Sequence, residues 1–346
     1  DFKSDFLKQI NTVKLNYGFD LRVQELNSEA NLSNGNNLFY NTSRYPDGGT
    51  TVLDNAVYAQ VNLNCTKNIL LLAGSRYSVN SLTALFQDTI TIHLPFTEIS
   101  VQNESLSNSF QVLYNPNDKL IFNAAISNGF RNPNTDDIGK TFSKDDVSVI
   151  IPNSELSIEK SLNIELGIQL KIKNLFNIQI QGFQTQITDA IERREATLNG
   201  LDSIIYDREM MKIMMNTNIG IARIKGLNLT YELNINEHFS HNTIINFIEG
   251  RTDNNLPLAH IPPTNIISSI KYKYKEQSLD LTGYYNGLKK AENYDLEGVD
   301  NLQEATGIGN PSWFVFSLKY QRKIDKNLLF ITGIHNIMDI HYKTFG

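Results

Sequence analysis

Apolar and polar residues alternate along most of this chain with a period of two. The purest case is Leu162, Ile164, Leu166, Ile168, Leu170 and Ile172, with Asn163, Glu165, Gly167, Gln169 and Lys171 between them. Successive side chains of a strand point to opposite faces, so this spacing predicts a strand with one apolar and one polar face. Leu120, Phe122, Ala124 and Ile126 form a matching face upstream, and a long polar segment joins the two stretches. The rhythm begins at Lys14 to Glu25, where Leu15, Tyr17, Phe19, Leu21 and Val23 oppose Asn16, Gly18, Asp20, Arg22 and Gln24. It recurs to Asn327–Met338, giving about thirteen predicted strands.

The connections sort strictly into two kinds. Short turns, such as Cys65–Asn68, Asn115–Asp118 and Lys173–Leu175, take turns with long polar segments near residues 27–54, 79–103, 131–153, 192–216, 251–263 and 289–310. A β-sandwich mixes loop lengths at both ends. Short turns at one rim and long loops at the other belong to an up-and-down membrane barrel. Predicted strands of roughly 10 to 15 residues also exceed an ordinary soluble strand and suit a tilted membrane crossing. The expectation is an all-β fold: an antiparallel up-and-down transmembrane β-barrel, with aliphatic faces toward lipid and polar faces toward a wet lumen. An odd strand count does not close a standard bacterial barrel. The first and last predicted strands also run in the same direction. Residues 1–346 are therefore expected to form one barrel domain, incomplete at both ends.

Composition removes several alternatives. No uninterrupted apolar run approaches the roughly 18 residues of a membrane helix, which excludes helical spans but not strands. Cys65 is the single cysteine, so neither a disulfide framework nor a multi-cysteine metal site is expected. A net charge of −6 without a basic cluster argues against nucleic acid. The six histidines stand singly apart from His238 and His241, and no catalytic arrangement emerges. No enzyme activity, resident cofactor or metal site is expected.

Four segments resemble TonB-dependent outer-membrane receptors, particularly the Bacteroidetes-type relatives of colicin I, siderophore and cobalamin receptors. Phe130-Arg131-Asn132-Pro133 resembles the family's F-R-A-P segment and continues through Asn134 to Gly139. Pro152 and Asn153 open a segment similar to N-P-N-L-x-P-E-K-S, followed by Asn163, Glu165 and Gly167 as in N-x-E-x-G. Ala222 to Gly226 resembles an inward-glycine strand, and Asn336, Asp339 and Tyr342 resemble N-L-x-D-x-x-Y. The resemblance implies a barrel of about twenty-two strands with a plugged lumen, of which this chain would supply about thirteen, without the plug. It further implies active uptake of a scarce nutrient complex, most readily an iron-siderophore, with cobalamin or another large ligand as the alternative. The implied partners are the inner-membrane TonB complex acting through the absent plug, a metal-chelate or vitamin ligand, outer-membrane lipid and a surface lipoprotein. The implied location is the outer membrane of a Gram-negative bacterium of the Bacteroidetes branch. A passive porin and a surface-binding barrel are the competing readings.

Candidate ligand contacts are Arg131, Asn134, Tyr206, Met210, Met211 and Tyr294, with Tyr45 a further aromatic. For Arg131 the plainer reading is an inward arginine paired with carboxylates that fix the base of a loop. Four methionines within Glu209–Asn216 offer soft thioethers to a metal or an apolar ligand, or simply pack the loop on itself. Glu292, Asp295, Glu297, Asp300 and Glu304 lack the spacing of a recognised Ca²⁺ loop and read as a solvated segment. Haem receptors of the family resembled often place a histidine between the two loop motifs, and none falls between Arg131 and Pro152, so the resemblance implies a ligand other than haem.

Overall fold

The computed structural model describes residues 1–34, 37–88, 92–143, 147–296 and 299–345. Fourteen strands form one antiparallel sheet in which each pairs with its chain neighbours. They are β1 (Phe2–Ile10), β2 (Val13–Leu26), β3 (Thr50–Asn64), β4 (Ile69–Leu85), β5 (Glu98–Asn117), β6 (Leu120–Arg131) and β7 (Glu159–Ile172). The second half comprises β8 (Phe176–Thr188), β9 (Ile221–Asn234), β10 (Phe239–Thr252), β11 (Asn265–Tyr274), β12 (Gln277–Asn286), β13 (Trp313–Lys323) and β14 (Leu329–Ile334). No described helix is long and apolar enough to cross a membrane.

Short turns do lie at one rim and long connections at the other. The tightest turns place Asn11 (φ 52°), Lys173 (φ 45°) and Lys275 (φ 53°) in the left-handed region. The cross-strand register holds each stripe to one side. Leu162, Ile164, Leu166 and Ile168 sit opposite Asn128, Ile126, Ala124 and Phe122 on β6. Leu166 is 64 % exposed, so this aliphatic stripe faces outward and not into a core. Rings on the same outer face gather toward the short-turn rim as Tyr114–Phe122, Phe176–Tyr231, Phe239–Tyr272 and Tyr320–Phe330 pairs. This is the aromatic girdle of a membrane barrel.

The count of thirteen is corrected to fourteen. The missed strand, β1, has the outward series Phe2, Ser4, Phe6, Lys8 and Ile10, which pairs with β2 at every position. Ser4 and Lys8 interrupt its stripe, so period-two reading passes over it. With fourteen strands the argument from an odd count falls away.

The loop boundary at Val79 is also corrected. β4 runs on to Leu85 and β5 begins at Glu98. Above the membrane band the two faces exchange polarity. Outward positions become Ser81, Thr83, Ser100, Gln102 and Glu104, and the inward ones become Leu82, Ala84, Ile99 and Val101. β8 and β9 do the same, with Gln184, Gln186, Arg223 and Lys225 outward against Ile187, Ala222 and Ile224 inward. Outside lipid, the outer face meets water and the inner face meets packed loops, so the hydrophobic effect selects the opposite pattern. Residues 327–338 were likewise expected to be strand throughout, whereas β14 ends at Ile334 because Asn336 (φ 51°) and Asp339 (φ 50°) turn the chain.

Gly226 shows how closely the wall is fitted. It faces the lumen on β9 beneath the Phe183 ring, and an added Cβ would lie 2.5 Å from that ring and 2.7 Å from the Phe247 carbonyl. Gly226→Val is expected to destabilise the wall by about 1–3 kcal/mol through overpacking. Gly182→Ala should be neutral, since its Cβ would find its nearest neighbour at 4.0 Å. Thermal unfolding of both variants in detergent, read by heat-modifiable gel mobility, checks the contrast.

Candidate functional site

The long connections fold over the lumen into a domed layer with its own cores. The segment expected to be a loop at residues 192–216 contains strands Ile191–Glu195, Ser203–Tyr206 and Glu209–Asn218. The last of these is central to a small sheet, pairing with both of the others and, in parallel, with Ser148–Ile150 of the preceding long connection. Met211, Ile213 and Tyr206 pack with Ile92, Val149, Ile151 and Leu198. A second cluster joins the inward tops of β4 and β5 to Ile138 and Leu156, and a third joins Ala190, Ala222 and Leu258.

Arg131 anchors this layer to the wall. It is the inward last residue of β6, opposite Glu159 at the start of β7. Its guanidinium donates to the Glu159 carboxylate and to Asp137 Oδ2 at 2.6 Å. Asp137 belongs to the helical turn Thr135–Ile138 and forms a reciprocal capping box with Asn134, both bonds being 2.9 Å. Glu159 Oε1 in turn accepts from the Ile191 amide at 2.6 Å. One arginine thus ties two strands and two long connections.

The other family-motif residues have structural placements of the same kind. Pro133 and Pro152 are buried, and Phe130 is half-buried. Asn153 donates to the Asn216 carbonyl at 2.7 Å, and its amide donates to the Ile138 carbonyl at 3.0 Å, stitching the turn to the methionine strand. Glu165 lies on the lumen wall and accepts from Asn163 at 2.5 Å and Gln181 at 2.6 Å. Gly167 sits opposite Asn123 and leaves room for that amide. Asn336 forms a closed side-chain loop with Ile340, the Asp339 amide donates to the Asn336 carbonyl, and the Tyr342 ring lies tilted against Trp313 at 4.5 Å.

The expected ligand contacts are thus dispersed and not convergent. Met211 is 1 % exposed, whereas Met210 is 65 % exposed and stands beside Ile205 on the hairpin closed by Asp207 and Arg208. Burial, with Asp207 nearby, pushes the Tyr206 hydroxyl pKa up. Tyr294 is buried with its edge to Phe345 at 5.8 Å, and burial raises its pKa as well. Within the acidic segment, Asp295 accepts from the Val299 and Asp300 amides, and Glu297 lies outside the described residues. No cluster of metal-ligating side chains occurs among the described residues.

Tyr45 reaches into the same region, donating to Asp136 Oδ1 at 3.0 Å, while Lys140 donates to Asp136 Oδ2 at 3.0 Å. Burial alone would raise the Asp136 pKa, but Lys140, Tyr45 and Arg44 outweigh it and hold the carboxylate below its ordinary 3.8. A depressed folded pKa contributes stability above the unfolded value that is lost as pH falls through the folded one. Cleavage by pepsin within residues 132–158 is therefore expected to rise only below about pH 3.8, and Asp136→Asn should abolish that pH step.

Concavities lie between the dome and the wall and within the dome itself. One, of about 440 Å³, is lined by Tyr45, Asp54, Asn80, Asn132 and Asp136. Thr50 Oγ1, Asn80 Oδ1 and Asn132 Oδ1, all on its lining residues, are buried without a hydrogen-bond partner. Another, of about 180 Å³, lies between long connections and combines Arg193, Arg194 and His260 with Glu192, Asp295, Leu256, Pro257 and Leu296; Arg194 donates to Glu192 at 2.6 Å. Sequence reasoning missed His260 and both arginines, because no local spacing marks residues that converge only through the dome.

A wall with lipid-facing aliphatics, a polar lumen and roofing loops defines a transmembrane β-barrel. The chain belongs to the TonB dependent receptor-like, beta-barrel family, whose description matches residues 1–337. It is 24% identical over 256 residues to the probable hemoglobin and hemoglobin-haptoglobin-binding protein 4 of Haemophilus influenzae, covering 69% of this chain and 25% of that protein. A further Haemophilus influenzae relative, hemoglobin and hemoglobin-haptoglobin-binding protein A, is 25% identical over 257 residues, covering 69% of this chain and 23% of that protein. The chain thus spans about a quarter of the length of these curated relatives. Among solved structures, the copper transporter OprC superposes with a TM-score of 0.81 at 14% identity, over 99% of this chain and 51% of that one. The ferric yersiniabactin uptake receptor FyuA from Yersinia pestis superposes with a TM-score of 0.66 at 16% identity, over 99% and 49%. At these identities the likeness concerns the fold. The Haemophilus relatives give no support to the Bacteroidetes branch.

Proposed function

We propose that this chain forms the ligand-facing part of an outer-membrane receptor that takes up a scarce iron complex, of the ferric-siderophore class, driven by TonB. The observation that carries this reading is the cleft between the dome connections, where Arg193, Arg194 and His260, with Glu192 and Asp295 among them, meet an apolar wall of Leu256, Pro257 and Leu296. A cleft that sets charged and imidazole groups beside apolar surface suits a polar, partly apolar chelate. In this reading the ligand descends past the acceptor-rich wall at Asn80 and Asn132 once an energised plug opens the lumen. Nothing in the site calls for catalysis.

A haemoglobin-derived ligand is the second reading, favoured by the names of the curated relatives. The deciding experiment is growth of a deletion strain under iron limitation on ferric siderophore, haemoglobin or cobalamin as separate supplements. Loss of growth on ferric siderophore alone supports the first assignment. Loss on haemoglobin alone replaces it with the second, and a defect confined to cobalamin overturns both.

A further inference from the structure

The outer face of β9, β10 and β11 carries a polar cluster where a membrane barrel is otherwise aliphatic. Tyr231, His241, Thr243 and Ser268 share the outward side, since Tyr231 pairs with Thr243, Thr243 with Ser268, and Leu233 with His241. Tyr231 Oη lies 2.9 Å from His241 Nδ1, and His241 Nε2 lies 2.8 Å from Ser268 Oγ and 3.2 Å from Thr243 Oγ1. Thr243 Oγ1 and Ser268 Oγ are 3.0 Å apart. The outward neighbours on these strands are Leu227, Leu229, Ile245, Phe247, Ile266 and Ile270.

Depth follows from the girdle. Phe239 lies against Tyr272 with ring centroids 4.7 Å apart and the planes tilted by 42°, and the His238 ring lies edge-on to Tyr274 at 5.5 Å. His241 and Thr243 lie two and four residues along β10 from Phe239. At about 3.3 Å rise per residue and a tilt of roughly 45°, they stand about 5 and 9 Å further into the bilayer. That is where the glycerol esters and phosphates of the short-turn leaflet give way to acyl chains.

Counting protons shows what this cluster lacks. With a neutral imidazole there are four donor protons: three hydroxyls and one ring N–H. If Tyr231 donates to Nδ1, then Nε2–H donates to Ser268 and Ser268 to Thr243, leaving the Thr243 proton over. If instead Nδ1–H donates to Tyr231, then Nε2 accepts one hydroxyl proton and the Tyr231 proton is left over. In either tautomer the cluster retains one hydroxyl donor with no acceptor among the described residues. A spare donor facing hydrocarbon is costly. Facing phosphodiester and ester oxygens, which accept and do not donate, it is satisfied.

We propose that Tyr231, His241, Thr243 and Ser268 form a binding site for the phosphoglycerol region of one bilayer phospholipid in the short-turn leaflet, with its acyl chains along Leu229, Ile245 and Ile266. The site rests on the membrane-spanning reading but not on the identity of the transported ligand. Its test is native mass spectrometry of the full-length receptor in mild detergent, titrated with phosphatidylethanolamine. Thr243→Val/Ser268→Ala is expected to weaken lipid retention at least fivefold and to leave heat-modifiable gel mobility unchanged. His241→Leu provides an independent variant with the same expected loss. Diacylglycerol, which lacks the phosphate, should bind at least fivefold more weakly than phosphatidylethanolamine to the unaltered protein. Equal retention by all three proteins overturns the site, as does equal binding of the two lipids. Because the readout is lipid retention, its failure leaves the uptake assignment standing, and a failed growth test leaves this site standing.

Discussion

Replacing Lys289 by alanine is expected to release the connection between β12 and β13 from the barrel mouth. Lys289 is 4 % exposed, and its ammonium donates to the Ile261 carbonyl at 2.6 Å. It lies 3.9 Å from Asp300 Oδ2 and over the rings of Phe345, at 4.7 Å, and Tyr294, at 5.6 Å. Burial pushes the lysine pKa down, and Asp300 and Asp295 partly restore it. Alanine removes the cation while the Asp300 carboxylate stays buried, its Oδ1 already taken by the His260 amide at 2.8 Å and its Oδ2 without a hydrogen bond. Breaking one side of a buried pair costs about 3–5 kcal/mol, more than a surface connection holds in reserve. Hydrogen exchange is expected to accelerate across residues 287–312 and the facing residues 258–262, with the wall strands unaffected. Lys289→Met/Asp300→Leu should recover much of the protection, since replacing the whole pair by apolar groups leaves no buried charge. Unchanged exchange in Lys289→Ala would show that the cation is not what holds this connection.

The second large effect is expected at Arg131. Alanine there leaves Asp137 and Glu159, whose side chains are each 14% exposed, facing each other without their shared cation. Losing charge-assisted hydrogen bonds of this kind costs about 1.5–3 kcal/mol each. Glu159 also accepts the Ile191 amide, so the disturbance should reach the neighbouring connection. Limited proteolysis is expected to open new sites in residues 132–158 and 189–220 together. Arg131→Lys should rescue only in part, because an ammonium does not span two carboxylates as a planar guanidinium does. Cleavage confined to one connection would separate the two and refute the shared anchor.

Much of the wall was legible because lipid imposes a rule that each strand must obey alone. Leu162 to Ile172 shows both faces without reference to any partner. β1 escaped because Ser4 and Lys8 break its stripe, and only its ladder with β2 reveals it. The dome was far less legible. The methionines of Glu209–Asn218 read as loop because their apolar partners, Ile92, Val149 and Leu198, come from three separate connections. The Arg131 anchor could be foreseen in kind, as an inward arginine at a strand end, but not its partners. Arg193, Arg194 and His260 carry no sequence signature, since their convergence is a product of tertiary packing.

The exchange of polarity between the faces of β4, β5, β8 and β9 has a consequence for how the barrel holds its height. A uniformly alternating strand could slide by two residues and keep every side chain on its proper face, so alternation fixes facing but not axial position. A strand whose phase reverses partway has no such freedom. Sliding β9 by two residues in one direction would carry Lys225 into the acyl region, at a cost of about 2–4 kcal/mol near the midplane and less toward the surface. Sliding it the other way would lift Leu227 into water. The reversal point therefore acts as a float line written into the chain, setting where the bilayer surface meets the protein.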